Sequence, residues 1–221
     1  MRGQGGSPVK LPLRIRPGHV LRRVPGGAKV HLAVRSGLSR EGWFRSYRAG
    51  RPVDRAGRPL PMYTYPAVHF LASRLRPEQR VFEFGSGYST LWYAERVREV
   101  VAVEHDGAWV EELSAAARPN VTVVHRSAPV EYLAEIGRHG RFQVVAVDGL
   151  ERSRAAAAAP GALSDDGVVI LDNADNPAFR EACELLRGSG FRELGFEGMA
   201  PVFAREWRTS VFYRPDNCLG I

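Results

Sequence analysis

The stretch Val81-Phe82-Glu83-Phe84-Gly85-Ser86-Gly87-Tyr88-Ser89-Thr90 decides the fold of this 221-residue chain. Residues 81–84 read as a short apolar strand carrying one carboxylate, and Gly85 and Gly87 let the backbone turn sharply before a helix over residues 89–97. The same unit recurs downstream. Strands are predicted over 100–103, 121–124, 142–147 and 168–171, interleaved with helices over 108–117, 130–136, 152–159 and 177–187. Apolar strands alternating with amphipathic helices are the signature of crossover units around a parallel sheet. After Gly188 the alternation stops: residues 191–196 and 207–213 are two strands with no helix between them. They predict an antiparallel hairpin closing the sheet, with 198–206 as its connection. The fold expected is α/β, a doubly wound and mostly parallel seven-strand sheet.

Upstream, Pro66 opens a helix on which Val68, Leu71, Ala72 and Leu75 share one face. Residues 1–58 are punctuated by Gly and Pro and hold no sustained period, so they read as a loosely ordered arm with one short helix near 39–47. The expected organisation is thus an arm at 1–58, a sheet domain at 59–214 and a tail at 215–221.

In an open sheet of this kind, ligands bind beyond the carboxyl ends of the strands. Glu104, followed by His105 and Asp106, ends the second strand about 20 residues after the glycines, where a carboxylate can take both hydroxyls of a ribose. A dinucleotide fingerprint would want a third small residue where Thr90 stands. Glu83, moreover, would repel a pyrophosphate and suit a cationic ligand. The next two strand ends carry Asp148-Gly149 and Asp172-Asn173. Neighbouring strands place their ends side by side, so Asp148, Asp172 and Asn173 can converge as three oxygen ligands suited to a hard ion such as Mg²⁺. Equally, Asp172 and Asn173 can build a turn or cap the following helix. Substrate contacts are expected from Met62, Tyr63 and Tyr65, a lid before Pro66, and from the 198–206 loop. Trp43, His69 and Trp207 are further aromatic or titratable groups, each of which also reads as ordinary packing. Cys183 lies on an apolar helix face, and with Cys218 it makes no metal-binding spacing.

Glu-x-Gly-x-Gly after the first strand, an acid ending the second and a terminal strand hairpin together resemble the class I S-adenosylmethionine-dependent methyltransferases, over roughly residues 66–214. The resemblance implies that Glu83, Gly85 and Gly87 line the methionine part of S-adenosylmethionine, Glu104 the ribose, and Ser127 and Ala128 the adenine. Phe84, Ser86, His105 and Asp148 would be further contacts, Asp148 also being the catalytic candidate. The trio Asp148, Asp172 and Asn173 is similar to the metal site of the catechol O-methyltransferase-like branch, which implies Mg²⁺ as a second cofactor. That branch has a lysine three residues after its first metal aspartate, whereas Glu151 stands here. The Asn/Asp-Pro-Pro-aromatic tetrad that such enzymes use on base amines is missing from the fourth strand end and no cysteine follows a proline, so oxygen of a small molecule or glycan is the expected acceptor, with nitrogen second. The alternatives are an RNA methyltransferase, an aminopropyl-transferring enzyme of the spermidine synthase type, and a non-catalytic binding module.

Charge is unevenly spread. Of a net +7, residues 1–60 hold 14 Lys and Arg against two acids, while the remainder holds 17 against 22. A basic arm on an acidic domain can attract nucleic acid such as RNA, an acidic lipid or a phosphorylated substrate. Against that, 29 of the 31 basic residues are Arg, as GC-rich coding leaves on any solvated surface. No apolar stretch approaches the ~20 residues of a membrane helix, and the N-terminus lacks the apolar run of a signal peptide. The chain therefore reads as soluble and cytoplasmic.

Overall fold

The computed structural model describes residues 27–116 and 118–221. Most of the first half of the predicted arm, residues 1–26, and Ala117, the last residue of a predicted helix, lie outside the described residues. The chain divides into two units after Arg40.

The first unit contains α1 (Gly27–Arg35) and the start of α2 (Gly37–Glu41). A helix at α1 was not expected in the arm. Its sequence, Gly-Ala-Lys-Val-His-Leu-Ala-Val-Arg, has good helix formers and no interior breaker, but it is too short for a period to be read. Val30, Leu32 and Val34 are exposed within their unit.

The single helix predicted near 39–47 is two, because Gly42, in the second unit, takes φ 83° between α2 and α3 (Trp43–Ala49). A Cβ at Gly42 would stand 2.3 Å from the Arg55 amide nitrogen, so close approach of the 54–55 backbone requires glycine there. Residues 41–58, grouped with the arm by sequence, are tied down locally. Ser46 Oγ donates to the Val53 carbonyl at 2.6 Å and accepts from the Val53 N–H at 2.9 Å, and Val53 bridges to Pro59. Helix α4 (Tyr65–Arg74) has Pro66 in its first turn and buries Ala67, Val68 and Leu71.

The sheet follows as predicted in kind. Its elements are β1 (Arg80–Phe84), α5 (Tyr88–Ala94), β2 (Glu99–Glu104), α6 (Gly107–Ala116), β3 (Val121–His125), α7 (Pro129–Ala134), β4 (Phe142–Val147), α8 (Arg152–Ala162), β5 (Leu163–Leu171), α9 (Arg180–Gly188), β6 (Arg192–Met199) and β7 (Glu206–Tyr213). Strand order is β3-β2-β1-β4-β5-β7-β6; the first five run parallel, and β7 is antiparallel to both β5 and β6. Chain order reverses between β1 and β4, which opens the crevice where ligands bind in such sheets.

β5 starts at Leu163, upstream of the predicted 168. Ser164-Asp165-Asp166-Gly167 reads as a turn by composition, yet here it is strand with a register shift opposite Phe142 and Val144. Ser164 Oγ donates to the Phe142 carbonyl at 3.1 Å, and the Asp166 carbonyl accepts from the tail, from Cys218 N–H at 2.7 Å. The predicted helix 177–187 is a 3₁₀ turn (Pro177–Phe179) running into α9.

β1 and β4 are buried on both faces, as central strands of a covered parallel sheet are. One side packs Phe82, Phe84, Val145 and Val147 against Ala155, Ala156 and Ala159 of α8, joined by Ala182, Cys183 and Leu186 of α9. The small alanines let α8 lie close to the sheet, and Cys183 is a core residue. Among the described residues, no helix is long and apolar enough to cross a membrane.

Candidate functional site

The ends of β1, β2 and β4 enclose a cavity of about 320 Å³ lined by Glu83, Gly85, Ser86, Ser89, Glu104, His105, Asp148, Gly149 and Leu150. Two glycines shape it. Gly85 has φ 94° and its missing Cβ would lie 2.9 Å from Gly149 Cα; a Cβ on Gly149 would lie 2.2 Å from the Tyr132 hydroxyl and 2.7 Å from Gly85 N. The turn after β1 and the turn after β4 therefore touch backbone to backbone, which any side chain at either position would prevent.

Glu83 and Glu104 stand on neighbouring strands at this opening. Glu83 is fully buried, and its carboxylate accepts from Thr90 Oγ1, which itself accepts from Gly87 N–H at 2.9 Å. Thr90, in place of a third small residue, thus links the carboxylate to the glycine turn. Burial pushes Glu83 up to about 8; hydrogen bonds from Ser89 and Thr90 pull the other way, and the charges of Asp148 and Glu104 add to the rise. Glu104 accepts from Ser86 N–H at 2.9 Å through Oε2, and from His105 N–H at 2.8 Å and Asp106 N–H at 3.1 Å through Oε1. His105 Nδ1 lies 2.6 Å from Oε1. Among the described residues neither glutamate has a lysine or arginine partner.

The third and fourth acids differ. Asp148 Oδ1 accepts from Arg152 Nη2 at 2.7 Å, and Asn173 Oδ1 accepts from Arg152 Nη1 at 2.9 Å. Asp172 is buried; its Oδ1 accepts from Thr209 Oγ1 at 2.6 Å and Trp207 Nε1 at 3.1 Å. Burial, and then the neighbouring charge of Asp148, push the Asp172 carboxyl up. Burial raises Asp148 as well, with Arg152 opposing it.

A second cavity, of about 510 Å³, flanks the other side of the glycine turn; Arg51, Pro52, Met62, Gly87, Tyr88, Trp109, Glu112, Val202 and Phe203 are among its walls. Trp109 Nε1 donates to the Ser86 carbonyl at 2.9 Å, which joins this wall to the first cavity. Val202 takes φ 72°, a strained backbone for a β-branched residue, and its neighbour Phe203 is held by Trp43 Nε1 donating to its carbonyl at 3.0 Å.

Of the residues singled out by sequence, Glu83, Gly85, Ser86, Glu104, His105 and Asp148 meet at the first cavity, and Gly87 and Met62 at the second. Phe84 is core. Tyr63 is fully buried and accepts from Tyr93 Oη at 3.1 Å, and Tyr65 is buried too, so neither lines either cavity. Ser127 and Ala128 are exposed beyond β3, outside the wall of the first cavity. The side chains of Asp148 and Asn173 meet at the guanidinium of Arg152, but Asp172 reaches it only through its backbone carbonyl, its carboxylate being bonded to Thr209 and Trp207, so the three expected side-chain ligands are not brought together. Sequence reasoning missed Trp109, Leu150 and Arg152; only Arg152, four residues after Asp148, carried a spacing signal, and that spacing reads as an ordinary helix-surface pair.

No protein-family model matches the chain, and no curated protein matches it. Solved structures do. The chain is similar to the precorrin-8w decarboxylase of Methanobacterium thermoautotrophicum at 16% identity and TM-score 0.52, over 74% of this chain and 96% of that one. It is similar to the precorrin-6y C5,15-methyltransferase of Geobacter metallireducens at 15% identity and TM-score 0.55, over 67% and 86%. A spermidine synthase in complex with the transition-state analogue AdoDATO matches at 14% identity and TM-score 0.53, over 76% of this chain and 63% of that one. At these identities the likeness shows the fold: a Rossmann-like sheet with the strand arrangement of methyltransferases.

Proposed function

We propose that this chain is an S-adenosylmethionine-dependent methyltransferase that methylates an oxygen of a small molecule. One observation carries the reading: Glu83 and Glu104 flank a glycine turn at adjacent strand ends without a lysine or arginine partner among the described residues. Two carboxylates so placed disfavour a pyrophosphate and favour a cation that also offers hydroxyls. S-adenosylmethionine, when bound, supplies a methyl group on a positively charged sulfur.

Glu104 would hold the ribose, and Glu83 and the Gly85–Gly87 turn the methionine part, with exposed Leu150 and the Ser127–Ala128 end towards the adenine. The acceptor would come from the second cavity, whose volume suits a small ligand and whose walls are mostly apolar. Its hydroxyl would meet the donor beside Asp148, and the proton would pass to Asp148 Oδ2, for which no partner exists among the described residues. Holding oxygen and methyl in line supplies most of the rate. The site does not fit Mg²⁺ as it stands, because Arg152 engages Asp148 Oδ1 and Asn173 Oδ1 while Asp172 Oδ1 is held by Thr209 and Trp207.

The likeness to a spermidine synthase favours one second reading, aminopropyl transfer, because that donor is also a sulfonium. Its polyamine acceptor would want an acidic pocket, whereas the second cavity offers Arg51 and Glu112, one charge of each sign. A direct test supplies methyl-labelled S-adenosylmethionine and its decarboxylated analogue to the protein with a small-molecule extract. Label moving from the methyl donor into a small molecule is expected; transfer only from the decarboxylated donor, or from neither, would overturn the reading.

A further inference from the structure

Arg152 opens α8 at its first residue, and all five of its N–H donors find an acceptor. Nε donates to the Gly149 carbonyl at 3.2 Å; Nη1 donates to the Asp172 carbonyl and to Asn173 Oδ1, both at 2.9 Å; Nη2 donates to the Asp148 carbonyl at 3.0 Å and to Asp148 Oδ1 at 2.7 Å. The acceptors are all oxygens from two strand ends, three of them backbone. An all-oxygen cage of carbonyls, an amide and a carboxylate is the donor set of a hard cation. Here the cation belongs to the chain.

The local backbone is bent to build this cage. Glu151 and Asn173, the residues preceding Arg152 and following Asp172, both take left-handed conformations, at φ 54° and 57°. The Phe179 ring lies 5.0 Å from the guanidinium carbon, and the Arg152 side chain is only 15% exposed. Both features favour a fixed guanidinium over a mobile surface one.

We propose that Arg152 is the resident cation of this site, standing in for a divalent metal: it ties the ends of β4 and β5 together and positions Asp148 so that Oδ2 is left for the cavity. Arg152 is a positioning residue, reaching any ligand only through Asp148. Two consequences follow. The wild type has no use for a metal at this position, and removal of the guanidinium leaves behind an oxygen cage able to take one.

The test measures Mn²⁺ binding by calorimetry, and S-adenosylhomocysteine affinity with and without chelator, in the wild type, Arg152→Lys, Arg152→Ala and the double variant Arg152→Ala/Asp148→Asn. For the wild type, no saturable Mn²⁺ site dependent on Asp148 and no response to chelator are expected. Arg152→Ala is expected to gain such a site, to lose it again in the double variant, and to bind S-adenosylhomocysteine about tenfold more weakly, with partial recovery when millimolar guanidinium or Mn²⁺ is added. Arg152→Lys, which keeps the charge without the five-donor fork, should fall between. Should Arg152→Ala not fold, the Lys variant and the chelator comparison carry the test. A chelator-sensitive wild type, or an unchanged affinity in Arg152→Ala, would overturn the proposal. A folded Arg152→Ala that neither guanidinium nor Mn²⁺ restores would do so too, because the loss would then not be that of a cation. The nucleoside arm rests on the methyltransferase reading, whereas the Mn²⁺ arm does not; a wild type that binds no nucleoside would remove that reading and leave the cation proposal to be decided by Mn²⁺.

Discussion

Two pairs of acids stand at neighbouring strand ends in this sheet, and the chain treats them in opposite ways. At β4 and β5, Asp148 pairs with the Arg152 guanidinium, which also takes Asn173 Oδ1 and the Asp172 backbone carbonyl, while the Asp172 carboxylate accepts from Thr209 and Trp207; one cation of the chain thus stands between these strand ends. At β1 and β2, among the described residues, Glu83 and Glu104 are held by hydroxyls and backbone N–H groups, Thr90 for one and Ser86, His105 and Asp106 for the other, with the His105 ring beside Glu104. Hydrogen bonds fix their geometry without supplying a permanent positive charge. A pair left in that condition costs stability unless something cationic arrives, and that cost is what a binding site for a positively charged donor would impose. The first pair has a resident guanidinium beside it; the second has no lysine or arginine partner among the described residues.

The comparison can be broken most severely at Glu104. Glu104→Ala removes the carboxylate that organises the turn and would take the ribose hydroxyls, so affinity for S-adenosylmethionine should fall by about 100-fold in a calorimetric titration. An effect no larger than that of a surface substitution would mean the ribose is held elsewhere.

The next effect is a pH dependence of stability. Glu83 rises from 4.5 to about 8 on folding through burial, so the folded state binds the extra proton between those values. Stability from this group is therefore present below about 4.5 and is lost as pH rises toward about 8. Thermal melting of the free protein should show that decline, and Glu83→Gln should flatten it. A wild-type profile already as flat as the variant's would contradict the assignment.

Gly149→Ala tests whether the two regions share a wall. The added methyl meets Gly85 backbone at 2.7 Å and the Tyr132 hydroxyl at 2.2 Å, and overpacking of this kind destabilises by about 1–3 kcal/mol. Both the melting temperature and the donor affinity should drop, since the cavity is built on that contact. The smallest change is expected from Asn173→Gly, which keeps the left-handed backbone and removes only the Oδ1 acceptor of Arg152, at a cost of about 1 kcal/mol. Donor affinity should stay within a fewfold of wild type.

The fold was legible because its signal is local. Residues 100–103 are all apolar, and 81–84 and 142–147 are apolar but for Glu83 and Gln143; central parallel strands need apolar faces on both sides. What escaped was set by contacts distant in sequence. The upstream half of β5 looks like a turn until Phe142 and Cys218 take up its hydrogen bonds. The break at Gly42 needs the 54–55 backbone to be there first.

The site divides in the same way. Glu83 and Glu104 follow from their distance to the glycines and the ends of their strands. The meeting of Asp148 with Asn173 also follows from strand adjacency, but what lies between them does not. Arg152 looked like one more arginine on an arginine-rich surface, and its five bonds exist only once β4 and β5 stand side by side. Tyr63 and Tyr65 were assigned to a lid because aromatic residues before a helix can serve packing or recognition; here both rings are buried.

The central claim is that the β1–β2 acids await a cation, and titration calorimetry with S-adenosylmethionine on either side of pH about 8 tests it most directly. Saturable one-site binding is predicted, tightening as pH rises and Glu83 ionises, with a smaller rise for S-adenosylhomocysteine, which lacks the sulfonium charge. No saturable heat at any pH, or equal pH dependence for the two ligands, would contradict it.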